Sequence, residues 1–266
     1  MTGGKKHKAK ALTYSSYLRL DALLALQTPE SAEHDELLFI VIHQVYELWF
    51  KQLLHEIDFL QRLLHGGDTP RVLRTFKRTL TILKTIVAQI DVLETMTPLE
   101  FNAFRDRLGA SSGFQSQGFR ELEFALGHKR AGVFGNYPKG SSERERLEAR
   151  YHAPTLWDAF LGYLHVRGYA VPPALLGREV SAKIAPSPEL QDVLIHIYRG
   201  DPATAEVCER LVDLDEGLQE WRYRHVKMVE RTIGHKPGTG GSAGADYLRK
   251  TVKPLFLDLW EIRSRL

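Results

Sequence analysis

From Asp35 to about Leu64 the chain contains neither glycine nor proline, and this run restricts its fold more than any other feature. The segment Glu36-Leu-Leu-Phe-Ile-Val-Ile-His-Gln-Val-Tyr-Glu-Leu-Trp-Phe-Lys51 and its continuation predict a helix of about eight turns. Apolar residues occupy more than one face, so such a helix must be buried against several neighbours. A second helix is predicted from Thr69-Pro70, read as N-cap and first helical position, to about Met96. Thr97-Pro98-Leu99-Glu100 reads as a capping box opening a short helix through Leu108. Asp201-Pro202 opens another long helix, to about Ile233. Its seam is Val207, Leu211, Leu214, Leu218, Trp221, His225, Met228 and Thr232, in the steps of four and three typical of a bundle helix. A last helix is expected over roughly Ala245 to Leu266.

No segment alternates as a strand would. Lys129 to Tyr151, with three glycines and a proline, reads as a surface excursion. The expectation is one all-α domain over residues 12–266, built on a bundle of long helices. A short basic arm, residues 1–11 with Lys5, Lys6, Lys8 and Lys10, precedes it and is expected to be disordered.

Composition narrows the function. Lys and Arg total 36 against 33 Asp and Glu, and a net charge of +3 is too small for a nucleic-acid footprint. The lone cysteine, Cys208, excludes an internal disulfide framework and a cysteine-based zinc cluster. No stretch approaches about 18 uninterrupted apolar residues, and the N-terminus lacks an apolar signal core. The chain is expected to be soluble and cytoplasmic, with no membrane partner.

His225 occupies a seam position where a helix would ordinarily place leucine. It is either a core histidine satisfied by a carbonyl or carboxylate, or a metal or haem ligand held between helices. Arg222 and Arg224 beside it suit porphyrin propionates, or are simply solvated. His43, one turn after Phe39, is a second histidine on an apolar helix, read as a core hydrogen-bonder or as the polar group of an aromatic-walled pocket. Its helix lacks the His-Glu-x-x-His spacing of zinc enzymes. Arg105 is a partner for Asp106 or Glu100, or a bidentate clamp for a carboxylate.

Gly234 to Gly244 holds five glycines in eleven residues. It matches the dinucleotide fingerprint superficially, as Gly238-x-Gly240-x-x-Ala243, but follows a helix instead of a strand. A helix linker or a loop that closes over a ligand, offering Thr239 and Ser242, remains. The turn Ser111-Ser112-Gly113-Phe114-Gln115-Ser116 presents amides at the start of the next helix, where an anion could bind.

Taken in order, these segments resemble the tryptophan 2,3-dioxygenase family. The resemblance is carried by Leu12 to Asp21, His34 to Phe39, His43 to Lys51, Phe104 to Ser116, Trp221 to His225 and Gly238 to Ser242. It implies a helical domain enclosing a haem b pocket, and an enzyme that opens the indole ring of L-tryptophan with O2 to give N-formyl-L-kynurenine. His225 would be the axial ligand of the haem iron. His43 would be the distal, catalytic residue that hydrogen-bonds the indole N–H, as orienting group or as base. Arg105 would take the substrate carboxylate, Thr239 its ammonium group, and Phe39 and Phe101 would form apolar walls. Ser112 and Gly113 would lie near a haem propionate. Tyr14, Tyr17 and Leu18 match a segment that enters a neighbouring subunit's site in a homotetramer.

Two segments depart from the family pattern: Ser116-Gln117-Gly118-Phe119 where Ser-Leu-Gln and an aromatic are usual, and Gly240-Gly-Ser-Ala-Gly244 where a second serine is usual. They leave open a specialised relative that mono-oxygenates a substituted tryptophan to an oxindole. A non-catalytic haem carrier or sensor would need His225 but not His43, Arg105 and Thr239 together.

Overall fold

The computed structural model describes residues 11–109, 111–238 and 244–266, and among them there is no strand. Residues 1–10 of the basic arm lie outside the described residues. Two short helices, α1 (Tyr14–Leu18) and α2 (Leu20–Leu23), precede the long α3 (His34–His65). Then come α4 (Thr69–Ala88), α5 (Ile90–Leu93), α6 (Pro98–Arg105), α7 (Gln117–Ala125), α8 (Ser142–Tyr151), α9 (Leu156–Val166) and α10 (Pro173–Leu176). The chain ends with α11 (Pro188–Gly200), the long α12 (Pro202–Ile233), α13 (Ala245–Arg249) and α14 (Leu257–Glu261). The all-α expectation holds.

Helix α4 is the hub of the bundle, packing against α12 on one side and α3 on the other. Where α12 passes α4, a Cβ on Gly217 would come within 2.6 Å of Leu83, so glycine sets how closely the two helices approach. Helix α3 also packs on α9, α7 and α6. It is long and apolar enough to cross a membrane by length and composition. In the fold its C-terminal half, with Ile57, Leu60 and Leu64, is the centre of the core. Its N-terminal half is different, since Leu37, Val41 and Leu48 remain exposed.

The start signals behave largely as read. Thr97 and Glu100 form the capping box of α6. Asp201 caps α12, accepting from the amides of Ala203 and Thr204, with Pro202 as the first helical residue. One cap shifts by a residue. Asp68, not Thr69, caps α4 by accepting from Arg71 N, and the Thr69 hydroxyl instead meets Tyr163 Oη at 2.7 Å.

Two boundaries and one segment differ from expectation. The second helix stops at Ala88 instead of Met96, after Thr75, Thr79, Thr81 and Thr85 have each turned their hydroxyl onto the carbonyl four residues back. Such back-bonding competes with the helix ladder and bends it. The last helix is broken into α13 and α14, because Pro254 supplies no amide and disfavours helical geometry at Lys253. The stretch 129–151 is more than a surface excursion: it folds as a 3-10 turn and α8, burying Val133, Tyr137 and Leu147 against Phe124 of α7.

A buried carboxylate fastens the C-terminal segment to the bundle. Asp215 on α12 accepts from Leu255 N (2.8 Å), Phe256 N (3.0 Å), Trp260 Nε1 (2.9 Å) and Gln219 Nε2 (3.2 Å). Asp215→Ala leaves these buried donors unpaired and is expected to cost about 2–4 kcal/mol. A urea titration will show this as a lower midpoint at unchanged slope.

Candidate functional site

Two histidines from the two longest helices open into one cavity bounded by α3, α5, α6, α7, α12 and α13. On α3, Phe39 and His43 lie one turn apart with ring centroids 4.1 Å from each other. The His43 Nδ1 sits 2.7 Å from the Phe39 carbonyl oxygen. A carbonyl only accepts, so Nδ1 must carry the proton. Desolvation lowers the His43 pKa, outweighing the raising effect of the Phe39 carbonyl, and so favours the neutral ring. The tautomer is then fixed, and Nε2 presents a free lone pair.

His225 on α12 faces the same cavity. Burial, reinforced by the nearby His43 and arginine charges, brings its pKa down to about 4, so it too is a neutral imidazole. Among the described residues no hydrogen bond reaches its ring. One turn earlier the Trp221 indole lies almost parallel to it, with centroids 5.4 Å apart and planes 9° apart. Trp221 in turn packs among Tyr46, Phe50 and Phe119, which form an aromatic floor. On the opposite wall Phe39 meets Phe101 and Phe104.

Arg105, at the end of α6, reaches the cavity and donates from Nη2 to the Pro237 carbonyl at 2.5 Å. Neither Asp106 nor Glu100, the partners its sequence neighbourhood suggests, pairs with it among the described residues. Ser112 and Gly113 line the cavity, and nothing lies within 4 Å of where a Gly113 Cβ would stand. Gly238 and Gly244 line it as well. Thr239 and Ser242, between them, lie outside the described residues. Tyr14, Tyr17 and Leu18 do not join this cavity: they are exposed on α1, at 77%, 71% and 42% of full accessibility.

Sequence reasoning passes over a charge cluster at the cavity edge. Glu123 on α7 is buried and pairs with Arg120, with Arg222 on α12 (2.7 Å) and with Arg130 (2.9 Å). Burial alone would raise its pKa, but the three guanidiniums outweigh that and bring it down to about 2. His128 stands 3.8 Å from the same carboxylate, and burial with the arginine charges lowers its pKa to about 4, leaving it neutral. Three cations around one anion leave two positive charges uncompensated within the cluster. Arg120 and Arg222 bring that excess to the cavity wall, whereas Arg224 turns away to Asp91 and Glu94. The partners of Glu123 lie three, seven and 99 residues away in sequence. The only local signal is the Arg120–Glu123 spacing on a short amphipathic helix.

The donor set fits a metal that brings its own equatorial ligands. Among the described residues no three His, Cys, Asp or Glu side chains converge as a chelate. What the cavity offers is a neutral imidazole, aromatic walls and surplus guanidinium charge at one edge. That combination suits a flat apolar macrocycle with anionic side chains and a single axial ligand.

Known proteins match the chain over nearly its whole length. A profile of the family described as tryptophan 2,3-dioxygenase matches residues 1–151 and 185–266. A tryptophan 2,3-dioxygenase of Herpetosiphon aurantiacus is 61% identical over 260 residues, covering 97% of this chain and all of its own length. One from Anaeromyxobacter is 58% identical over 267 residues, covering both chains in full, and one from Bacillus cereus is 38% identical over 259. The chain belongs to the tryptophan 2,3-dioxygenase family. It is therefore an oxidoreductase of the dioxygenase type. The likeness extends over the helices that carry His43, Arg105 and His225, since these relatives align along their whole length.

The Glu123 cluster makes a testable demand on this member of the family. With its folded pKa below the ordinary carboxylate value, Glu123 stabilises the fold fully above about pH 4.5 and loses that contribution as pH falls towards about 2. Glu123→Gln strands buried guanidiniums and is expected to cost about 3–5 kcal/mol at pH 7. The gap between variant and wild type should narrow on acidification to pH 3, as followed by chemical denaturation at the two pH values.

Proposed function

We propose that this chain opens the indole ring of L-tryptophan with O2 to give N-formyl-L-kynurenine, in a haem-dependent reaction. The observation that carries the reading is the pairing, across one cavity, of a free imidazole lone pair on α3 with a free imidazole on α12. Haem b, when bound, supplies the redox-active iron through which dioxygen reacts with the indole C2–C3 bond. His225 would hold the iron, and Arg120 and Arg222, with Ser112 and Gly113, would hold the propionates. A neutral histidine is the form that can ligate, so the depressed His225 pKa keeps the ligand available across the physiological range.

The remaining work belongs to the protein's own groups. With Nδ1 committed to the Phe39 carbonyl, His43 Nε2 can only accept, and the indole N–H of tryptophan is the donor it would receive. Phe39 and Phe101 would flank the indole and keep water from it. Arg105 would take the substrate carboxylate bidentately in exchange for the Pro237 carbonyl it holds here. The resemblance gives the substrate's ammonium group to Thr239. Holding both ends of the amino acid fixes the indole's position, which is how binding energy far from the reacting bond promotes the reaction.

The proposed enzyme is a soluble, cytoplasmic homotetramer. The exposed aliphatic and aromatic side chains of residues 12–26, together with Leu37, Val41 and Leu48, support an assembly that covers them. Tyr14, Tyr17 and Leu18 would then enter the cavity of a neighbouring subunit.

The test is turnover by haem-loaded, reduced protein with L-tryptophan and O2, read by absorbance and product mass. A product heavier by two oxygen atoms with formylkynurenine absorbance is expected, and a gain of one atom would move the chain to oxindole formation. Arg105→Ala should raise KM by about tenfold to a hundredfold, the loss of about 1.5–3 kcal/mol from a charged hydrogen bond. An unchanged KM would remove Arg105 from the site.

A further inference from the structure

We infer that Trp221 is the positioning residue for the His225 imidazole, fixing the plane of that ring by face-to-face contact where a hydrogen bond would ordinarily do so. This rests on His225 being the axial ligand. A ligating histidine normally gives its second ring N–H to a carboxylate or carbonyl, and that bond sets both tautomer and ring rotation. Among the described residues no such partner reaches His225. What lies against the ring is the Trp221 indole, 5.4 Å away between centroids and 9° from parallel.

The indole is itself held by packing. Phe50 meets it edge-on at 6.0 Å and 87°, Phe119 stands 4.9 Å away, and Tyr46 is edge-on at 6.3 Å. Its buried Nε1 makes no well-formed hydrogen bond among the described residues but turns to the Tyr46 hydroxyl, which itself donates to the Ile86 carbonyl. Trp221 is therefore held mainly by ring packing. Its plane is dictated by three rings from α3 and α7, and the His225 plane follows from it. An aromatic floor built by two other helices thus reaches the ligand on α12 through one stacked pair.

The experiment uses the full chain loaded with haem, comparing wild type with Trp221→Leu, Trp221→Phe and His225→Ala. Two quantities are read: the rate of haem transfer to excess apomyoglobin, and the iron–histidine stretching band of the reduced protein by resonance Raman. In Trp221→Leu the transfer rate should rise roughly fivefold or more and the band should shift or broaden, as the freed ring samples several rotations. Trp221→Phe, which keeps a stacking face, should stay within about twofold of wild type. Wild-type rate and band in Trp221→Leu would overturn the inference. If His225→Ala keeps the wild-type band, the axial assignment itself fails, whatever Trp221 does. Should Trp221→Leu not fold, proton NMR of the cyanide-ligated wild type decides: ring-current shifts and Overhauser contacts between the Trp221 and His225 rings are expected, and their absence would overturn the proposal.

Discussion

One carboxylate fastens the cavity's edge. Glu123 draws Arg120, Arg130 and Arg222 together, and these come from α7, from the segment after it and from α12. Arg130 extends the link, because its guanidinium also donates to the Tyr247 hydroxyl at 2.7 Å and so ties in α13. Tyr247 in turn stands edge-on to Phe114, on the turn that carries Ser112 and Gly113. A single buried anion thereby fixes the relative positions of four segments that line the cavity. It does so while leaving positive charge in excess, a state stable only because each guanidinium has a partner and because an anionic ligand can share the load.

Desolvation does the complementary work on the histidines. In water an imidazole titrates near neutrality and would be partly protonated there. Desolvation lowers the pKa of both His43 and His225, and at His225 the charges of Arg222 and Arg120 add to it, bringing it down to about 4. The same arginines that welcome anions therefore help keep the His225 imidazole neutral. For His43 the Phe39 carbonyl then chooses which nitrogen keeps the proton. A backbone atom four residues away thus sets the polarity of the cavity's ceiling, and no side-chain motif announces it.

Much of this is legible in the sequence, and the limits have physical causes. The long α3 and α12 are plain because apolar periodicity and the Asp201-Pro202 start are local signals. His225 stands out because a histidine interrupts a leucine seam. The early end of α4 escapes notice, since four threonines look harmless until their hydroxyls are seen turned back onto the helix. The break after α13 is present as Pro254 but is outweighed by the apolar residues around it. The Glu123 cluster is invisible because its members are brought together only by the fold. The carboxylate-clamp reading of Arg105 gains its substrate from resemblance, and the structure adds that its guanidinium is already engaged by a carbonyl.

The N-terminal segment carries the consequences beyond a single chain. Helix α1 is five residues long, buries none of them and caps itself through Thr13 and Ser16. Isolated helices shorter than about 12 residues are marginal in water, so local bonds alone do not hold it. Its tether to the body is polar: Gln27 meets Gln44 at 2.6 Å, and the buried Glu36 accepts from the amides of Glu30 and Ser31 at 2.8 Å. These contacts fix where the segment leaves the bundle but cover none of its tyrosines and leucines. The uncovered leucine and valine side chains of α3 face the same difficulty. In a symmetric assembly one repeated contact can bury both surfaces at once, and it meets the physical need of each without any further element.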